Sequence, residues 1–252
     1  MSIALITGAT AGFGKAIALK FAEHGYDVII TGRRKERLAE LEQIITDTYG
    51  VKVVTSCFDV RSQQETESEL NAIPHFFKAI DVLVNNAGLA SGLSTIQEGN
   101  FDDWNVMLDT NVKGLLHVSR VIMPWMVERK KGHIINIGSI AGKEVYAKGN
   151  VYCASKHAVD ALTKAMRIDL LPYGIKVTAV NPGAAETEFS LVRYKGDAER
   201  ASQVYKGFDP LVANDIAEIV WFAASRPPHV VLNDITVTPL AQAAAAYIEK
   251  KM

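Results

Sequence analysis

The chain has 252 residues, 48% of them hydrophobic and 22% charged, a globular composition with room for one large α/β domain or two small ones. A formal net charge of −1 argues against nucleic acid or an anionic membrane as the main partner, and no apolar run reaches the length of a membrane span. Cys57 and Cys153 are the two cysteines, no Asn-x-Ser/Thr sequon occurs, and Met1-Ser2-Ile-Ala-Leu-Ile-Thr-Gly8 reads as a core strand with no basic leader. The expectation is a soluble, cytoplasmic protein with two buried thiols.

In chain order, short apolar runs at 3–7, 27–31, 52–57, 80–85, 132–138, 176–181 and 234–237 read as strands, several rich in Val and Ile. Amphipathic stretches separate them. That rhythm points to a parallel sheet covered on both faces, with no repeat, low-complexity segment or Pro/Gly/Ser-rich linker to divide it.

The first strand runs into Gly8-Ala9-Thr10-Ala11-Gly12-Phe13-Gly14, and a helical pattern follows. Glycines there let a backbone approach a ligand, and the helix N-terminus offers free N–H groups to an anion. The spacing is Gly-x3-Gly-x-Gly rather than the Gly-x-Gly-x-x-Gly dinucleotide fingerprint, and a purely structural glycine turn is the competing reading. At the end of the second strand, Thr31-Gly32-Arg33-Arg34-Lys35 carries no acid until Glu36. An acid there would suit the two ribose hydroxyls of NAD, whereas two guanidinium groups suit a 2′-phosphate. A solvated first turn of the next helix is the plainer alternative. Asp59-Val60 after the third strand could meet an adenine, and Asn85-Asn86-Ala87-Gly88 after the fourth offers amides and a close-approach glycine; ordinary strand-end turns explain both equally.

From 101 to 124 the pattern is helical, with Trp104, Leu108, Asn111, Leu115, Val118 and Ile122 on one stripe. Asn111 therefore reads as buried, either in a structural hydrogen bond to backbone or holding a water that links it to Lys156. Ser139 follows the fifth strand, and Tyr152 and Lys156 stand four apart, on one helix face. A nearby ammonium favours phenolate, and a serine hydroxyl could bond the oxygen on which the proton is exchanged, a set suited to proton transfer at a carbonyl or alcohol oxygen. The segment 184–207 is polar and reads as irregular, a binding lid or a mobile surface loop. His133 and His157 have no second ligand at metal spacing and are expected at the surface or behind the site. The stretch 243–250 either packs on a neighbouring subunit or frays.

Thr7-Gly8-x3-Gly12-x-Gly14, Asn85-Asn86-Ala87-Gly88, Asn111, Ser139, Tyr152-x3-Lys156 and Pro182-Gly183-x3-Thr187 stand together in an order and spacing that resemble the short-chain dehydrogenase/reductase family over essentially the whole chain. The resemblance implies one Rossmann-type doubly wound α/β domain over 1–252, with a mainly parallel seven-stranded sheet and a substrate lid at about 184–207. It also implies a homo-oligomer, tetramer or dimer. Tyr152 would be the acid/base, Lys156 would lower its pKa and bind the nicotinamide ribose, Ser139 would orient the carbonyl, and Asn111 would hold a relay water. The cofactor would lie along Gly8 to Gly14, Asp59, Val60, Asn86, Pro182, Gly183 and Thr187, with no metal required. Gly8-Ala-Thr-Ala-Gly-Phe-Gly14, Thr31-Gly-Arg-Arg34, Thr187-Glu-Phe-Ser-Leu-Val-Arg193 and Lys195-Gly-Asp197 are similar to the NADP-dependent serine and 3-hydroxy acid dehydrogenases. These act on small acids such as L-serine, L-allo-threonine, 3-hydroxyisobutyrate and 3-hydroxypropionate. The substrate carboxylate would need a cation, and Arg193 is the candidate; packing on the lid is its alternative role. A broader carbonyl or 3-oxoacyl reductase of the same family and, more distantly, a non-catalytic NADP(H)-binding sensor or scaffold are the rival readings.

Overall fold

Seven strands lie parallel in the order β3-β2-β1-β4-β5-β6-β7 in the computed structural model, which describes residues 2–251. Met1 and Met252, the ends of the expected 1–252 domain, lie outside the described residues. The strands are β1 (Ile3–Ile6), β2 (Asp27–Gly32), β3 (Val53–Cys57), β4 (Val82–Asn85), β5 (His133–Ile137), β6 (Lys176–Pro182) and β7 (Asp234–Val237). Their order reverses beside β1: β2 and β4 flank it in register, Ile3 opposite Asp27 and Ala4 opposite Val82. Crevices at such a switch point, outside the carboxyl ends of the strands, are where open α/β sheets bind ligands.

Alternation along each strand divides the core in two. Ala4, Ile6, Val28 and Ile30 pack with Ile17 and Phe21 of α1 (Gly12–Glu23), Leu38 and Leu41 of α2 (Lys35–Tyr49), and Ile216 and Val220 of the last long helix, 213–224. Ile3, Leu5, Ile29 and Leu83 face the other way. They meet Leu70 of α3 (Gln63–Ala72), Val118 and Ile122 of helix 115–129, and Val159 and Met166 of helix 150–170. Both faces are covered, which is why the strands read as continuous apolar runs.

The stretch expected as one helix from 101 to 124 is α4 (Phe101–Leu108), a π-turn over Asp109–Gly114, and α5 (Leu115–Arg129). It continues past Pro124, which removes only one N–H from the ladder. Next comes α6 (Asn150–Leu170). The segment 184–207 is not irregular: it forms α7 (Glu188–Arg193) and α8 (Ala198–Gln203), each six residues long, before α9 (Ala213–Ala224). Thr187 and Asp197 cap the two short helices, accepting from Phe189 N and Arg200 N.

The C-terminal stretch neither frays nor stands apart. Gln242–Ala244 and Tyr247–Ile248 form a small antiparallel hairpin, β8 and β9, that folds onto the 184–207 segment of its own chain. The buried Gln242 side chain accepts from Ala184 N at 2.8 Å, and Lys251 N donates to Gly207 O at 2.8 Å. Cys57, expected buried, is exposed because β3 is an edge strand, whereas Cys153 is buried as expected. His133 is also a correction: it lies inside the sheet, bonded through Nε2 to Thr178 Oγ1 at 2.8 Å, and burial pushes its pKa down to about 3. Among the described residues no helix is long and apolar enough to cross a membrane, and no cluster of His, Cys, Asp and Glu could hold a metal ion.

Candidate active site

A cavity of about 490 Å³ opens at the carboxyl ends of the strands, and residues from one end of the chain to the other line it. Its floor at the β1 end is the glycine turn. Gly8 has φ +67°, a left-handed conformation that disfavours any side chain, and a Cβ on Gly14 would overlap the Gly8 carbonyl and the Asn86 amide. Asn86 fastens this turn, donating from Nδ2 to Thr7 O at 2.8 Å and from its backbone N to Thr7 Oγ1 at 3.0 Å. Ala11, at the N-cap of helix α1, offers no side-chain cap and the first turn holds no acid, so the leading N–H groups at this cavity wall are uncompensated by side chains. Gly8, Thr10, Ala11, Gly12 and Phe13 line the cavity. Ala9 and Gly14 do not: Ala9 is a fully buried core residue whose N–H is taken by Thr31 O, and Gly14 provides the close approach that lets α1 start there.

Beyond β2, Arg33 and Arg34 both reach the cavity. Arg34 donates from Nε and Nη2 to Thr10 Oγ1, at 3.1 and 2.8 Å. Arg33, more than half exposed, makes one long contact of 3.5 Å with Asp59, whose other partner is Arg61 at 2.6 Å. Burial alone would raise the Asp59 carboxyl, but the two guanidinium groups outweigh it and hold the pKa below the usual range. Val60 continues the wall behind Asp59.

On the far side stand Ser139, Tyr152 and Lys156, all buried. Ser139 follows β5, its Oγ accepting from Ala141 N at 3.1 Å and facing Pro182 O at 3.4 Å. Tyr152 and Lys156 share one face of α6, as their spacing predicts. The Lys156 ammonium donates to Ile137 O at 2.9 Å, and burial pulls its pKa down to about 8. Burial also pushes the Tyr152 phenol up, opposed by the Arg193 charge and the Ser139 hydroxyl. A second cation, Arg193, also stands against the phenol in this arrangement.

Arg193 reaches that position from the end of α7. Its guanidinium lies 4.9 Å from the Tyr152 ring centre and 5.0 Å from that of Phe189, and Nη2 donates to the Tyr146 hydroxyl at 2.8 Å. Its Nε is buried without a hydrogen-bond partner. Tyr146 was not singled out from the sequence; an isolated aromatic in a loop gives no periodic signal.

Asn111 sits in the π-turn with its side-chain amide bonded to protein groups. Oδ1 accepts from Leu89 N at 2.8 Å, while Nδ2 donates to Leu89 O at 2.8 Å and Ser155 Oγ at 3.0 Å. That is the structural role weighed for it. It also holds the loop bearing Gly88, the glycine against which both Asn111 and Lys156 pack.

Pro182, Gly183 and Thr187 complete the wall, and the segment 184–207 covers it. Three sets of bonds hold this cover down. Glu188 accepts from Arg34 at 2.9 Å and Arg37 at 2.6 Å, Lys195 pairs with Asp103 of α4 at 2.9 Å, and Gly92 N donates to Arg193 O at 3.0 Å. Arg37 and Glu188 escaped the sequence reading because their partnership spans about 150 residues and leaves no local pattern.

Residues 2–196 match the family described as short chain dehydrogenase. The chain belongs to that family. A relative named NADP-dependent 3-hydroxy acid dehydrogenase, from Salmonella typhi, is 47% identical over 244 residues, covering 96% of this chain and 97% of its own. Another, named sulfoacetaldehyde reductase 2, from Chromohalobacter salexigens, is 43% identical over 246 residues, covering 97% of each chain. Among solved structures, the closed form of serine dehydrogenase complexed with NADP+ superposes with a TM-score of 0.92 at 43% identity, covering 99% of this chain and 100% of that one. This short-chain dehydrogenase thus shares the fold and overall length of each.

Proposed function

We propose that this enzyme transfers a hydride between NADP(H) and the 3-hydroxyl or 3-oxo group of small hydroxy acids, the class of L-serine, L-allo-threonine, 3-hydroxyisobutyrate and 3-hydroxypropionate. The observation that carries the reading is Arg193: a guanidinium with an unpartnered Nε, set against the Tyr152 ring in the cavity that also holds Ser139. A carboxylate on that cation would place a carbon a few bonds away beside the phenol and the serine.

The residues fit a phosphorylated dinucleotide. Uncapped N–H groups of α1 suit the diphosphate, and Arg33 and Arg34 suit a 2′-phosphate. Of the cations at this end only Arg33 and Arg34 line the cavity, and together they suit a phosphate monoester, whose charge is about −2. When bound, the nicotinamide gives or accepts the hydride. The protein handles the proton. In reduction Tyr152 donates its phenolic proton to the carbonyl oxygen while Ser139 bonds that oxygen; in oxidation the phenolate takes the proton back. Burial keeps the phenol protonated for the first task, while the Arg193 charge and the Ser139 hydroxyl oppose that shift and so favour the second. Lys156 anchors the loop end of β5 through Ile137 O and presents its remaining N–H groups to the cavity. The segment 184–207 serves as the substrate lid of a single catalytic domain. Exposed Leu116 on α5 and Ile168 on α6 support an oligomer, and unpaired Cys57 and Cys153 support a reducing compartment such as the cytoplasm.

A second reading, a small oxo-sulfonate, is favoured by the 43% identity to the sulfoacetaldehyde reductase, because Arg193 meets a sulfonate by the same chemistry. Initial rates with L-serine, L-allo-threonine and 3-hydroxyisobutyrate against NADP+ and NAD+, beside NADPH-driven reduction of sulfoacetaldehyde and of an uncharged ketone, separate the readings. Oxidation of hydroxy acids with a strong NADP+ preference is expected. Turnover of sulfoacetaldehyde alone would move the assignment to sulfonates, and turnover of the ketone alone would remove the anion from it.

A further inference from the structure

Glu188 is an acid in the wrong place for a phosphate site. It opens α7 directly after Thr187, whose side chain packs against Gly12 of the glycine turn, so the lid begins over the point where α1 starts. From there its two carboxylate oxygens are divided between two cations of α2 and its approach: Oε2 accepts from Arg34 Nη1 at 2.9 Å, and Oε1 from Arg37 Nη1 at 2.6 Å. Arg34 is held independently on its other edge by Thr10 Oγ1, through Nε and Nη2. Its guanidinium is therefore already oriented by the glycine turn, and Glu188 is not needed to aim it. Burial works against ionisation of the carboxyl, but Arg34 and Arg37 outweigh it and hold its pKa below the usual range.

Resting on the reading of Arg33 and Arg34 as the 2′-phosphate clamp, we propose that Glu188 competes with that phosphate for Arg34, so that its charge both latches the lid to α2 and limits the preference for a 2′-phosphate over a 2′-hydroxyl. A phosphate monoester brought to Arg34 stands within reach of a carboxylate bonded to the same guanidinium, and the two like charges repel. Either the carboxylate gives up Arg34 and remains on Arg37, or the phosphate binds against it. In both cases the ester, and not the hydroxyl, bears the cost. Glu188 is thus a positioning residue that acts through Arg34. Any general loosening of the lid would change NADP+ and NAD+ binding alike and cancel in their ratio.

The test is the ratio of dissociation constants for NADP+ and NAD+, measured by titration calorimetry on the full chain and on Glu188→Gln, Glu188→Asp and Arg34→Gln. Glu188→Gln is expected to shift the ratio toward NADP+ by about three- to tenfold at low ionic strength, less in high salt, while Glu188→Asp stays near the parent. Arg34→Gln should shift it toward NAD+ by tenfold or more. An unchanged ratio in Glu188→Gln beside a large loss in Arg34→Gln would overturn the latch and leave the clamp standing. A ratio that falls in Glu188→Gln would mean the acid aids the phosphate, which also overturns it. No response in either the glutamate or the arginine variant would remove the 2′-phosphate reading and this inference with it.

Discussion

Lys156 carries a stability cost that its removal should reveal. Its ammonium is buried beside the cavity with one protein acceptor, Ile137 O, and its pKa stands at about 8 against an ordinary 10.5. The sign follows from linkage. The folded state gives up its proton first, so unfolding takes up a proton between about pH 8 and 10.5, and stability rises with pH across that window. At pH 7 both states are protonated and the cost is present almost in full, about 3 kcal/mol. By about pH 9.5 more than half of it is gone. Lys156→Met removes the charge and leaves Ile137 O without its partner, a loss of about 1–3 kcal/mol. The variant should therefore match or exceed the parent in stability at pH 7 while losing most activity. The decisive quantity is the change in the difference between the two proteins: the parent should gain about 2 kcal/mol on the variant between pH 7 and 9.5. Urea unfolding followed by fluorescence of Trp104, Trp125 and Trp221 reads this directly. Parallel stability curves, with a difference constant over that range, would show that the ammonium is not held in a desolvated state and would refute the reasoning.

Tyr152→Phe should lower kcat by about 10²- to 10⁴-fold with NADP(H) binding little changed, and retention of most activity would remove the phenol from proton transfer. Arg193→Met should raise KM for hydroxy acids by about ten- to hundredfold, in line with loss of a charged hydrogen bond, and leave KM for an uncharged alcohol nearly unchanged. The same variant should move the phenol-dependent limb of the oxidation pH profile to higher pH, because the charge that favours phenolate is gone; a limb that stays in place would contradict the role of Arg193 on Tyr152. Gly14→Ala should destabilise the fold by about 1–3 kcal/mol in thermal or urea unfolding, since the added Cβ meets the Gly8 backbone, which cannot move aside as a side chain could.

The five inner strands were legible because each is buried on both faces, and a run of Val and Ile with little polar phase leaves little else to be; the edge strands β3 and β7 are only partly covered. Their ends shift by a residue or two: β4 starts at Val82 rather than 80, with Ile80 buried outside the ladder. The π-turn at Asp109–Gly114 was invisible, since one extra residue in a turn does not disturb the apolar stripe on either side. Helices α7 and α8 were read as irregular because each is too short to show periodicity and is held by tertiary bonds, Glu188 to α2 and Lys195 to α4. The terminal hairpin is small-residue chain whose pairing depends on Gln242 and the lid. At the site, the motif spacing brought Ser139, Tyr152 and Lys156 together correctly. What it could not supply was the electrostatics: which cation lies on the phenol depends on where α7 folds back, and that is set by contacts far apart in the chain.

Costly groups mark this site, but only in combination. His133 is as deeply buried as Lys156 and its pKa is displaced further, yet it opens β5 with Thr178 of β6 as its partner and does not line the cavity. It is a neutral residue of the sheet. Lys156 and Tyr152 are also displaced by burial, and Arg193 Nε is a buried donor without an acceptor, but these three open on one cavity behind one lid. Elsewhere the fold tolerates such costs singly, as at His133. Three within one wall, next to a glycine turn that no side chain could enter, are not incidental to packing. Each has an outlet that a bound substrate and dinucleotide would provide: an anion for Arg193, an oxygen for Tyr152, and hydroxyl acceptors for Lys156. On that ground stability should rise on saturation by more than either ligand contributes alone, since each relieves a different group.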